Sequence, residues 1–271
     1  MNVRGIAVGS RRMTLVAGPC MAESRDLCYE VAETVKTIAS DLDIDFIFKA
    51  SFDKANRTSV GTARGLGMEA GLEILESVSR SLDLATTTDV HLPDQASVVA
   101  NHVDLLQVPA FLCRQTDLLE ACARTKKPVN VKKGQFLSPF DTKNIVDKLR
   151  SFDAAGIMLT ERGTTFGYNM LVVDMPGLEI MRSFGVPVCF DATHSAQRPG
   201  GAGTSSGGNR DQIPALARAA IAVGIDALFM EIHPDPEKAL SDAATQWPLA
   251  RARELLEGLV SIDQTRRRVI C

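Results

Sequence analysis

Thiol, imidazole, carboxylate, amide and cationic side chains recur in this chain just past short apolar runs. Cys20, Lys49, Asp89, Gln107, Lys132, Arg162, His194 and Glu231 follow the runs at 14–17, 46–48, 84–86, 105–106, 129–131, 157–159, 186–190 and 227–230. Each can grip an anion, a metal or a proton. The segment FKASFDKANRT at 48–58 sets Lys49, Lys54 and Arg57 among Ser51, Asn56 and Thr58, a mixture suited to a phosphate monoester. A second cationic group follows later runs, at Lys132 and Arg162. Of the adjacent Lys132 and Lys133, strand alternation sends at most one into a common mouth; Lys132 is expected there and Lys133 outward. Two separated cationic groups predict two anionic groups in one pocket. Cys20, His194, Glu231 and Asp242 form a third set. A thiolate with imidazole and carboxylates suits a divalent transition metal such as Zn or Fe better than Mg or Ca. Each residue taken singly has a plainer reading: a Cys after a Gly-Pro turn packs, a lone His makes structural hydrogen bonds, and a charged loop is solvated.

Only a fold that gathers all the run ends at one place makes a single site of these residues. Between the runs lie segments of helical periodicity: one capped by Ser24 through Val31, Val35 and Ile38, one at 68–82, and others at 93–101, 116–125, 139–152, 212–223 and 236–259. Strand, loop and helix in regular alternation require a parallel sheet. Eight such units predict an α/β chain folded as a single-domain (β/α)8 TIM barrel, with residues 1–271 as one catalytic domain; an open doubly wound sheet is the alternative. Two long glycine-bearing segments interrupt the rhythm, RTSVGTARGLG at 57–67 and RPGGAGTSSGGNR at 198–210. At a barrel mouth such loops serve as lids or phosphate loops, and the second is expected to order over bound substrate.

Charge and composition narrow the function further. With 45% hydrophobic residues in 271, the chain can bury a full core. A net charge of −3 creates no global field toward nucleic acid or an anionic membrane, so neither is an expected partner. No apolar stretch reaches the length of a spanning helix, and residues 1–13 do not read as a signal peptide. The six cysteines lack metal-knuckle or disulfide-scaffold spacing and are expected as reduced thiols in a cytoplasm. Cys28, Cys113, Cys122, Cys189 and Cys271 read as small buried hydrophobes, and His91, His102 and His233 as structural hydrogen-bonding groups.

Longer motifs carry a family resemblance. AGPC at 17–20, FKASFDKANR at 48–57, QVPAFLCRQTDLL at 107–119, NVKKGQFLSP at 130–139, TERGTTFGYN at 160–169, FDATHSAQRPGG at 190–201 and EIHPDPEKALSDAATQWPL at 231–249 closely resemble the 3-deoxy-D-manno-octulosonate 8-phosphate synthases. The resemblance spans nearly the whole chain. It implies a transferase that condenses phosphoenolpyruvate with D-arabinose 5-phosphate and water, releasing inorganic phosphate, in lipopolysaccharide inner-core (Kdo) biosynthesis. It also implies a cytoplasmic homotetramer. Carried over by position, Lys49, Lys54, Lys132 and Arg162 would hold phosphoenolpyruvate, with Gln107, Ala110 and Gln135 lining its pocket. Asn56, Arg57 and Thr58 would hold arabinose 5-phosphate, with Asp89 also substrate-facing, and Lys132, His194, Asp242 and Asn56 would act in catalysis. Cys20, His194, Glu231 and Asp242 match the ligand set of the metal-dependent class, with Zn, Fe(II) or Mn as the ion. The metal-independent class has Asn at the position of Cys20. The alternative is the related 3-deoxy-D-arabino-heptulosonate 7-phosphate synthase reaction with erythrose 4-phosphate. That family typically reads KPRTS where this chain reads Ala55-Asn56-Arg57-Thr58-Ser59, and an Asn amide can bond a sugar hydroxyl where Pro offers no donor. A non-catalytic barrel that binds metal and anions is a second alternative, of another class.

Overall fold

The computed structural model describes residues 1–269 apart from Arg11, Asn56, Arg57, Thr58, Val60, Thr62 and 202–206. The eight apolar runs are strands: β1 (Thr14–Gly18), β2 (Asp45–Lys49), β3 (Ala85–Asp89), β4 (Leu105–Val108), β5 (Val129–Lys132), β6 (Ile157–Glu161), β7 (Val188–Asp191) and β8 (Ala227–His233). Each pairs in parallel with the next, and β8 also pairs with β1, so the sheet closes into a (β/α)8 barrel. Closure excludes the open sheet. The strands are almost wholly buried, as a parallel sheet covered on both faces must be.

Alternation along the strands gives the barrel two interiors stacked on one axis. Val16, Ile47, Ala85, Leu105, Met158, Cys189, Ala227 and Phe229 form an apolar cluster within the ring of strands. Two residues further along, the same faces carry Gly18, Lys49, Thr87, Gln107, Thr160, Asp191 and Glu231, so the core turns polar toward the C-terminal ends. An N-terminal hairpin pairing Asn2–Val3 with Ile6–Ala7 adds Val3 and Val8 to the apolar cluster, with Met1 and Ile6 packed against it. The sequence reading anticipated no element there.

The helices α1 (Arg25–Asp41), α2 (Met68–Leu82), α3 (Gln95–Ala100), α4 (Thr116–Arg124), α5 (Thr142–Ser151), α6 (Pro176–Arg182), α7 (Ala192–Ser195), α8 (Ile213–Val223) and α9 (Ala252–Val269) bury their apolar faces on the outside of the strands. Ser24 caps α1 as expected, its Oγ accepting from the Leu27 N–H at 3.2 Å. The short α6 and α7 were not expected. The single helix expected at 236–259 is a correction: the segment holds a 3-10 turn at Pro236–Lys238, a left-handed residue at Asp242 (φ 49°) and a strand at Trp247–Pro248 beside β8, before α9 begins. Pro248 withholds a backbone donor that a continuous helix needs, and the turn at Asp242 lets its side chain reach the barrel mouth.

Candidate active site

The turn after β1 depends on a glycine. A Cβ on Gly18 would lie 2.0 Å from the Lys49 carbonyl oxygen, so only Gly lets β1 and β2 close up and deliver Cys20 to the axis. The Cys20 N–H is held by Gln246 Oε1 at 3.2 Å, and its Sγ lies 3.2 Å from Asp242 Oδ2. Cys20, Glu231 and Asp242 each offer a ligand atom within 4.8 Å of the others. His194 stands at the edge of this group: its Nε2 is 3.7 Å from both Glu231 Oε1 and Asp242 Oδ2, while its Nδ1 is turned to Asp191 Oδ2 at 2.8 Å. Glu231 Oε2 is buried with no hydrogen-bond partner among the described residues. A buried thiol, one buried and one half-buried carboxylate and an imidazole, with one carboxylate oxygen unpaired among the described residues, fit a divalent transition metal by donor chemistry.

Around this group lie the cations. Lys49 Nζ is 3.1 Å from Glu231 Oε1, donates to the Cys20 carbonyl at 3.2 Å and sits 3.7 Å from Asp89 Oδ2. Lys54 Nζ is 4.0 Å from Glu231 Oε1 and 3.3 Å from Ser51 Oγ. Lys132 Nζ pairs with Asp191 Oδ2 at 2.6 Å and lies over the Phe229 ring, 3.8 Å from its centroid. Arg162 Nη2 donates to Gln197 Oε1 at 2.5 Å; its Nη1 is buried without a partner among the described residues, as is Gln135 Oε1. Ala110 opens the short 3-10 turn after β4, also buried. Lys133 turns away from the Lys132 face as expected, but it meets no solvent. Its ammonium is buried 3.4 Å from Glu161 Oε2 and donates to Thr164 Oγ1 at 2.9 Å.

Burial alone would raise the carboxylates, but the cations reverse this. Asp89 is held well below the usual range by Lys49 and Lys54, Asp191 by His194 and Lys132, and Glu231 is lowered by His194 and Lys49. Burial opposes a charged His194 ring, yet Asp191 outweighs it and raises the imidazole's pKa. Burial lowers Arg162. Burial and then Glu231 push the Cys20 thiol far up, so the chain's own groups favour a proton on that sulfur.

The sequence reading missed several supporting groups. Asp191 ends β7 and so obeys the strand-end rule that picked out its neighbours; it joins Lys132 to His194. Gln197 bridges Arg162 and Asp242, donating to Asp242 Oδ1 at 2.8 Å, and sat unremarked within FDATHSAQRPGG. Asn56, Arg57 and Thr58 lie outside the described residues. The glycine-rich segment at 198–210 starts and ends in an antiparallel pair, Gln197–Arg198 with Gly207–Gly208, and its centre lies outside the described residues. Three histidines stand apart from the cluster. His91 packs edge-on against Phe52, His102 Nδ1 lies 3.1 Å from Glu76 Oε2, and His233 Nδ1 accepts from the Asp235 N–H. Cys28, Cys113, Cys122 and Cys189 are buried free thiols, with Cys28, Cys122 and Cys189 pushed up to about 12 by burial.

A family model described as the DAHP synthetase I family matches residues 2–266. Among curated relatives, the 2-dehydro-3-deoxyphosphooctonate aldolase of Aromatoleum aromaticum is 57% identical over 97% of this chain and 95% of its own length. Those of Azoarcus sp. and Nitrosococcus oceani are 54% and 53% identical, covering 97% and 98% of this chain and 96% and 95% of theirs. With that match running through every strand of the barrel and every described residue of its polar mouth, the chain belongs to the DAHP synthetase I family.

Proposed function

We propose that this chain condenses phosphoenolpyruvate with D-arabinose 5-phosphate and water, giving 3-deoxy-D-manno-octulosonate 8-phosphate and inorganic phosphate, the chemistry of the synthases its motifs resemble and of the aldolases among its relatives. The observation that carries this reading is the meeting, in one mouth, of a cationic subsite with a transition-metal donor set. Among the described residues Arg162 keeps a buried N–H without a partner, and Cys20, Glu231 and Asp242 converge within 4.8 Å in the same mouth. Residues 1–271 act as one catalytic domain.

In this reading Lys49, Lys54, Lys132 and Arg162 neutralise the phosphate and carboxylate of the enol, with Gln107, Ala110 and Gln135 lining its pocket. Asn56, Arg57 and Thr58 hold the sugar phosphate, and Asp89 faces its hydroxyl-rich chain. Holding both reactants in register contributes on the order of 7–11 kcal/mol. A divalent ion (Zn, Fe(II) or Mn) on Cys20, His194, Glu231 and Asp242 would supply a Lewis acid beside the reacting carbons. With an ion on its Nε2 the His194 ring is neutral and its Nδ1–H faces Asp191; His194 and Asp242 are the candidates in this reading for moving a proton.

The exposed apolar rim supports self-association into a homotetramer. Phe136 and Phe140 after β5, and Phe166, Tyr168 and Met170 after β6, are 54–97% exposed, and the two loops are joined by the Thr165 N–H to the Gln135 carbonyl. No helix among the described residues is long and apolar enough to cross a membrane, which fits work in the cytoplasm on a lipopolysaccharide precursor.

The direct test is phosphate release. Both substrates together should release phosphate and neither alone should, with activity lost to a strong chelator and restored by a divalent transition metal. Cys20→Asn should lower metal content by elemental analysis. Equal phosphate release from phosphoenolpyruvate alone would overturn the condensation.

A further inference from the structure

Inside the barrel, four consecutive strands are linked by side-chain hydrogen bonds. Thr160 Oγ1 on β6 donates to Asn130 Oδ1 on β5 at 2.7 Å, Asn130 Nδ2 donates to Gln107 Oε1 on β4 at 3.0 Å, and Gln107 Nε2 donates to Asp89 Oδ1 on β3 at 2.8 Å. Ser51 Oγ donates to the other oxygen, Asp89 Oδ2, at 2.5 Å. All these groups are buried, and neither Asn130 nor Thr160 has a role in the reaction described so far.

The direction of this ladder follows from its end. An ionised carboxylate only accepts, so Asp89 requires the amide nitrogen of Gln107, which leaves the Gln107 oxygen for β5. Asn130 must then present its nitrogen to Gln107 and its oxygen to Thr160, whose hydroxyl supplies the last donor. Cys189 on β7 is a further side-chain partner of Thr160. Every amide is thereby fixed, although an amide's shape is nearly the same when turned over. The second N–H of Gln107 has no protein partner among the described residues, so the ladder decides whether the mouth meets a donor or a lone pair from this side chain.

We propose that Asn130 and Thr160 are positioning residues for the reaction, completing a one-way hydrogen-bond ladder that holds Gln107 and Asp89 in the orientation the substrates meet. The inference rests on the reading of Gln107 and Asp89 as substrate-facing groups. Chains of this kind polarise one another and are sensitive to one wrong member.

Two pairs of variants of the full-length enzyme test it. Thr160→Val removes the terminal donor at nearly constant volume and should lower kcat/KM about tenfold, and Thr160→Ser should restore most of that loss. Asn130→Asp introduces a group that cannot donate to Gln107 while ionised but, once protonated, both donates to Gln107 and accepts from Thr160. Its kcat/KM relative to wild type should therefore rise as pH falls from 8.5 to 5.5. The charged or titratable groups on the inward faces around that position are Lys49 on β2, Asp89 on β3, Lys132 on β5, Arg162 after β6, Asp191 and Cys189 on β7 and Glu231 on β8; they set where the new carboxyl titrates, and the comparison with Asn130→Leu separates its titration from theirs. Asn130→Leu, which has no titratable group, should show no such rise. The thermal midpoint of Asn130→Asp relative to wild type should rise with falling pH too, which shows without turnover that the new carboxyl titrates in the folded protein. Wild type that turns over neither substrate would remove the assigned reaction. An active wild type with Thr160→Val at full kcat/KM, or with equal pH-independent ratios for Asn130→Asp and Asn130→Leu, would overturn the ladder's role.

Discussion

A single carboxylate, Asp191, ties the cationic half of the mouth to the half that holds Cys20, Glu231 and Asp242. One oxygen meets both Lys132 Nζ and His194 Nδ1, and the other accepts from Thr193 Oγ1 and the His194 N–H. Asp191→Asn should lower metal affinity or activity by about 10- to 100-fold, measured by metal titration and steady-state kinetics. Stability should fall as well, by about 3–5 kcal/mol, because Lys132 keeps its burial and loses its counter-charge. Asp89 makes a separate prediction on the acid side. Lys49 and Lys54 hold its folded pKa below the unfolded value of about 3.9, so its contribution is complete above that pH and is lost as pH falls toward the folded value. The urea midpoint of Asp89→Asn should therefore depend less steeply on pH below about 4 than that of the native chain; equal slopes would contradict it. Residue type at a strand end made Cys20, Lys49, Asp89, Gln107, Lys132, Arg162, His194 and Glu231 legible. Gln197 and Gln246 were not, because an amide's value there lies in bridging two partners distant in sequence, Arg162 and Asp242 for one, Cys20 and Ser241 for the other.

At the scale of elements, strands were easier to read than the last helix. A buried parallel strand must be apolar on both faces, and the run then breaks where polar chemistry begins, so both its existence and its functional end leave a mark. The segment at 236–259 carries helix formers on both sides of a turn whose purpose is tertiary, to bring Asp242 to Cys20; Pro248 marks a break in the sequence, but local propensity cannot register where the turn leads. The glycine and cap that position these elements differ in consequence. Gly18→Ala sets a Cβ against the Lys49 carbonyl, which cannot yield without parting β1 from β2; it should prevent stable folding or cost several kcal/mol by denaturant titration. Ser24→Ala removes only the cap of α1 on the barrel's outside and should cost about 1 kcal/mol with kcat unchanged. Similar losses from the two substitutions would contradict this account of the β1 turn.

Considered whole, the molecule divides its labour along the barrel axis. The N-terminal hairpin and the apolar cluster close one end, while cations, carboxylates and a thiol crowd the other under loops with an exposed apolar rim. Such a mouth could serve more than one aldose phosphate, since one barrel supports many chemistries. On the proposed reading, discrimination falls to the segment at 55–59, where Asn56 would bond a hydroxyl that a shorter sugar lacks; recognition of this type reaches roughly 10⁴-fold when its loss strands buried polar groups. The most direct measurement is the ratio of kcat/KM for D-arabinose 5-phosphate to that for erythrose 4-phosphate, with phosphoenolpyruvate saturating and metal restored. A ratio far above one is predicted, and more efficient turnover of erythrose 4-phosphate would contradict the account.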